Sequence, residues 1–76
     1  MKQLVELIAK SLVDQPEAVS VSESTGSHTS IIELRVAKED IGKVIGRKGS
    51  NANAIRTLLE ACGGKNNTRY ILEIIE

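Results

Sequence analysis

Residues 44–55 read Val44-Ile45-Gly46-Arg47-Lys48-Gly49-Ser50-Asn51-Ala52-Asn53-Ala54-Ile55. Two glycines stand three apart with two cations between them, and apolar residues at helical spacing lie on either side. Upstream, Ile41, Val44 and Ile45 form a short stripe that begins near Lys38 and ends at Gly46. Downstream, Ala52, Ile55, Leu58, Leu59 and Cys62 form a second stripe, closed by Gly63-Gly64. The glycine pair therefore sits in a turn between two helices. Gly46 can end the first helix in a left-handed conformation without Cβ strain, and Gly49 lets an anion come close to the main chain. The unpaired amides at the start of the second helix are expected to point outward, where their dipoles favour negative charge. Arg47 and Lys48 add positive charge at the same point, so the expected ligand is a phosphodiester backbone. Ile41 and Ile45 on the first helix, and Ile55 on the second, are expected to flank an apolar groove against the sheet that accepts bases. Asn53 and Arg56 are expected at its polar rim, and Gly42 and Ser50 complete the candidate set.

Outward from this stretch the periodicity changes. Leu4, Val5, Leu7, Ile8, Leu12 and Val13 recur at helical spacing opposite Lys2, Glu6 and Lys10, which predicts an amphipathic helix from Lys2 to Val13, stopped by Pro16. Val19 and Val21 alternate with serines, and Ile32, Leu34 and Val36 alternate with Glu33 and Arg35, a strand pattern in both cases. Thr25-Gly26-Ser27 supplies turn chemistry between them, so the two strands form an antiparallel hairpin. Lys65-Asn66-Asn67 reads as a loop, and residues 68–75 as a third strand. The expected fold is α+β, ordered α-β-β-α-α-β, with three helices on one face of a three-stranded sheet.

Seventy-six residues make one domain, spanning 1–76. The core must come from 22 Leu, Ile and Val residues, because Tyr70 is the single aromatic. One cysteine excludes an internal disulfide, and no apolar run approaches the ~18 residues of a membrane span. A cytoplasmic setting without membrane attachment is expected. The formal net charge is zero, against the usual basic surplus of nucleic-acid-binding domains. Its distribution is uneven, however. Between Ile41 and Leu59 stand Lys43, Arg47, Lys48 and Arg56 with no acidic residue, so that window carries +4 and the remainder −4. Segregation of this kind marks a local attractive patch on a neutral body.

The run IGKVIGRKGSNANAIRTLL resembles the signature of KH domains, and the element order resembles the type II, bacterial-style KH fold. The likeness extends over the whole chain to the small stand-alone KH proteins of bacteria. It implies binding of single-stranded RNA, with the GxxG loop clamping about four nucleotides of backbone. It also implies homodimerisation, pairing with a larger RNA-binding protein that carries a KH domain, and a role in cell-wall synthesis and cell division through RNA. Ala52 departs from the signature, standing where many KH domains have Ile; a smaller residue deepens or loosens the groove.

Other chemistries fit less well. Gly42, Gly46 and Gly49 match neither G-x-G-x-x-G nor G-x-x-x-x-G-K-[ST], and the loop follows a helix where those phosphate loops follow a strand. His28 has no metal-ligating neighbour at ligand spacing, Cys62 has no partner base, and no enzyme activity, metal, cofactor or small-molecule substrate is expected. Ala37 is a poor cap for the helix that follows it. Ile71, Ile74 and Ile75 offer apolar groups to both faces of the last strand, either as core or as a self-association surface. A protein-interaction module with a KH fold and a ribosome-associated assembly factor remain alternatives on the sequence.

Overall fold

Val5 and Ala9, one helical turn apart, are fully buried in α1 (Lys2–Leu12), while Lys10 pairs with Glu6 at 3.2 Å on the wet side. Pro16 follows at the first position of a 3-10 turn, where its missing N–H costs nothing. The chain then runs β1 (Ser20–Thr25), β2 (Thr29–Arg35), α2 (Ile41–Ile45), α3 (Ser50–Asn66) and β3 (Arg69–Ile75), with short 3-10 turns at Lys38–Asp40 and Arg47–Gly49. This computed structural model describes residues 1–75, so the last residue of the expected 1–76 span, Glu76, lies outside the described residues.

β1 and β2 pair antiparallel, with Val21 opposite Leu34, across the turn closed by Gly26 N–H donating to the Thr29 carbonyl at 2.7 Å. Alternation in β2 puts Ser30, Ile32 and Leu34 beneath the helices and Ile31, Glu33 and Arg35 on the open face. β3 lies on the other side of β2 and runs parallel to it, from Thr29 opposite Arg69 to Arg35 opposite Ile75. A parallel neighbour can be reached only by a crossover. That crossover is α2, the glycine turn and α3. The three helices and the sheet enclose a core that includes Val5, Ile32, Leu34, Val44, Ile55, Leu59 and Leu72, and the expected α+β order is the one observed.

α3 does not stop at Gly63-Gly64. It continues to Asn66 and ends on Asn67, whose left-handed φ of 53° turns the chain so that the Thr68 N–H donates to the Gly63 carbonyl at 2.9 Å. Gly63 is there for packing: a Cβ would collide with the Thr68 carbonyl oxygen and lie 3.2 Å from the Tyr70 ring. Glycine at this point lets the end of α3 lie against the start of β3.

Candidate nucleic-acid interface

The turn between α2 and α3 bends through three residues of positive φ. Gly46 has φ 78° and ψ 174°, Lys48 has φ 56°, and Gly49 has φ 78°. Gly46 is constrained twice, because a Cβ there would fall 2.7 Å from Asn51 Cγ. Asn51 fills that space and donates through Nδ2 to the Lys43 carbonyl at 2.9 Å, tying the first turn of α3 to the last turn of α2. The turn is thereby braced from inside by a residue outside the expected set.

The backbone donors are arranged differently from the expectation. The N–H groups of Gly49 and Ser50 are taken up within the turn by the carbonyls of Gly46 and Arg47. Among the described residues, those of Arg47 and Lys48 meet no acceptor. Arg47 keeps a right-handed conformation and Lys48 a left-handed one, and successive amides in that combination form a concavity that binds anions. The side chains of Arg47 and Lys48 are exposed beside it and make no ion pair among the described residues.

Lys43 is removed from the patch. Its Nζ lies 3.0 Å from Asp14 Oδ2 and 3.5 Å from Asp40 Oδ1, while Asp40 Oδ2 accepts the Gln15 N–H at 3.0 Å. Asp40 is 1% exposed, and its Oδ1 has no hydrogen-bond donor, so the Lys43 charge answers it through space. The hydrogen bond and charge of Asp14 raise the pKa of Lys43 above the usual lysine range. Because the folded-state value is the higher one, this link is fully present at neutral pH and is lost only as an alkaline pH passes through it. Among the described residues, three cations of the four in the window, Arg47, Lys48 and Arg56, remain unpaired.

Next to the turn opens a groove of about 370 Å³. Ile45, Gly49, Ala52 and Arg56 line it from the helices, and Leu72, Glu73, Ile74 and Ile75 from β3. The second wall is thus the edge strand β3, where the sequence places the groove against the sheet without naming a strand. Arg69 N–H donates to the His28 carbonyl and the Ile75 carbonyl accepts from Val36 N–H. In a parallel ladder the bonds to β2 therefore fall on odd-numbered residues of β3. The N–H and C=O of Tyr70, Leu72 and Ile74 face away from β2, along the free edge.

The candidate residues divide accordingly. Ile45, Gly49 and Arg56 line the groove; Gly46, Arg47, Lys48 and Ser50 build the turn at its end; Asn53 is exposed near Gly49. Ile41 packs half-buried against the core, and Ile55, at 2% exposure, belongs to the core and not to the groove. Ala52 takes the floor position, where an isoleucine would fill part of the cavity. Gly42 is exposed, with open space where a Cβ would be. Among the described residues no group of three His, Cys, Asp or Glu is placed to hold a metal ion. No helix among the described residues is long and apolar enough to cross a membrane.

A helix–GxxG–helix turn set between the parallel strands of a three-stranded sheet is the arrangement of a KH domain. Residues 2–74 match the family described as KhpA/KhpB, KH domain. The chain is 59% identical over 75 residues to the RNA-binding protein KhpA of Clostridium acetobutylicum, covering 99% of this chain and all of that one. It is 55% identical to that of Clostridium perfringens over the same shares, and 53% identical to that of Chlamydia pneumoniae over all of this chain and 97% of the other. The chain belongs to the KhpA/KhpB KH-domain family. Its relatives bear the name of RNA-binding proteins and not of enzymes. No solved structure matches it.

Proposed function

We propose that this chain binds single-stranded RNA with low sequence selectivity in the cytoplasm, gripping the backbone at Arg47 and Lys48 and laying about four bases in the adjoining groove. The observation that carries this reading is the pair of unpartnered amides at Arg47 and Lys48, flanked by two exposed cations and opening directly onto an apolar groove. The names of the relatives support it. Two or three charge-assisted contacts at ~1.5–3 kcal/mol each, less ordering costs, correspond to a dissociation constant between millimolar and micromolar. One such domain selects no transcript alone. A second copy or a KhpB-like partner multiplies affinity by about 10²–10⁴ when both engage one strand. In that form the domain would serve post-transcriptional regulation linked to cell-wall synthesis and division. Self-association has material to use: Leu7 is 65% exposed, Leu58 48%, and Ile31 lies beside Ile71 on the open face of the sheet.

The test is fluorescence anisotropy with a labelled unstructured RNA. Wild type binds with a salt slope of about −1.4 to −2, the value for two or three phosphates on a single strand. Arg47→Asp with Lys48→Asp abolishes binding and leaves the melting curve in place, both side chains being exposed. Equal binding by the double variant would remove the turn from the site.

A further inference from the structure

A second cavity of about 400 Å³ continues from the groove along the free edge of β3, sharing Arg56 and Leu72 with it. Its remaining walls include Glu60 from α3 and Thr68, Arg69 and Tyr70 from the start of β3. Its chemistry differs from that of the groove. Tyr70, half-buried with its ring edge over Gly63, is the only Phe, Tyr or Trp of the chain, and it stands here. Among the described residues, Arg56 and Glu60 lie one helical turn apart yet form no ion pair, and Arg69 pairs with no carboxylate. The Tyr70 N–H and C=O are among those left free on the strand edge. An aromatic ring, the Arg56 guanidinium, a free carboxylate and a free main-chain donor and acceptor thus meet at one cavity, and Arg69, on the open face of the sheet, borders it at the strand edge.

We propose that the RNA path runs past the four-nucleotide groove into this cavity, where a further base lies against Tyr70 and presents an exocyclic amine to Glu60. The proposal rests on the RNA-binding reading and extends it to a longer footprint with one selective position. Arg56, at the junction of the two cavities, meets the phosphate that joins the groove nucleotides to the next one, and Arg69 meets the phosphate beyond. A carboxylate repels phosphate but accepts from an amine, so Glu60 faces the base and not the backbone. Cytosine carries an amine at position 4 where uracil carries a carbonyl. The cavity therefore prefers cytosine to uracil at equal size, and a base without an amine gains less from reaching it.

The experiment measures full-length protein against labelled C4, C8, U4 and U8. Lengthening adds binding registers equally in both series. The expected result is a gain from C4 to C8 that exceeds the gain from U4 to U8 by about tenfold, the worth of one good charged contact to a base edge. Glu60→Ala, at an exposed helical position, removes that excess. Arg69→Ala weakens C8 and leaves C4 unchanged. With 3-fluorotyrosine at Tyr70, the single fluorine signal shifts on adding C8 and stays in place on adding C4. Binding of C4 and U4 with equal gains on lengthening, and a fluorine signal that does not move, overturns the extension while the groove reading stands. Absence of binding to all four RNAs overturns both.

Discussion

Lys48 holds a conformation that costs a non-glycine residue about 1–2 kcal/mol. The strain sits where the two free amides converge, and the bracing bond from Asn51 keeps the turn from relaxing. Lys48→Gly is therefore expected to stabilise the fold by about 0.5–1 kcal/mol, once the greater freedom of glycine in the unfolded chain is subtracted. Lys48→Ala keeps the strain. Both variants lose the same charge and should lose RNA affinity equally. Denaturant melts alongside anisotropy separate the two effects; a Lys48→Gly protein that is less stable than wild type would show that the turn is not strained. At this scale the turn was legible, because glycine spacing and cations state their chemistry locally. The left-handed Lys48 was not, since nothing about lysine favours it and the closure of the turn imposes it. Helical periodicity puts Ile55 in the groove, because it identifies a face without saying how that face is rotated against the sheet.

Among the elements, the end of α3 shows packing overriding local preference. Gly63 and Gly64 read as a stop, and the helix passes through both because the first lets β3 approach and the second faces open space. The two glycines are expected to respond oppositely to the same change. Gly64→Ala raises stability by up to about 1 kcal/mol through helix propensity. Gly63→Ala forces the Thr68 carbonyl and the Tyr70 ring to move and lowers stability by about 1–3 kcal/mol, the usual cost of overpacking. Thermal melts of the two variants check this, and equal shifts would mean that the contact at Gly63 is slack. The helix termini and the third strand were otherwise legible to within a few residues. The direction of β3 was implicit in the long connection from β2, which two helices fill, since a hairpin needs no such length. What stayed hidden was which strand walls the groove, namely the edge strand β3.

Over the whole molecule, zero net charge conceals a built asymmetry. Asp14 and Asp40 hold Lys43, and the cations left unpaired near the turn all lie where the groove opens. The exposed Leu7 and Leu58 lie outside both the groove and the cavity beside it, so self-association there and RNA contact need not compete. Sedimentation at rising concentration is expected to show a dimer, and a monomer throughout would leave avidity to a different partner chain. The parallel pairing of β2 with β3 has a further consequence. Each paired residue in β3 lies 40 positions after its partner, Arg69 against Thr29 and Ile75 against Arg35, and the glycine turn lies between them. The turn cannot hold its shape once that pairing opens, so RNA held at the proposed site is expected to bind only chains whose sheet is closed. A ligand that touches one small turn thus withdraws population from every opened state, and by linkage its concentration sets the melting temperature of the sheet. At a hundredfold excess over the dissociation constant the gain is about 2.7 kcal/mol. Amide exchange should slow by the same factor at Leu34 in the middle of the sheet as at the turn itself.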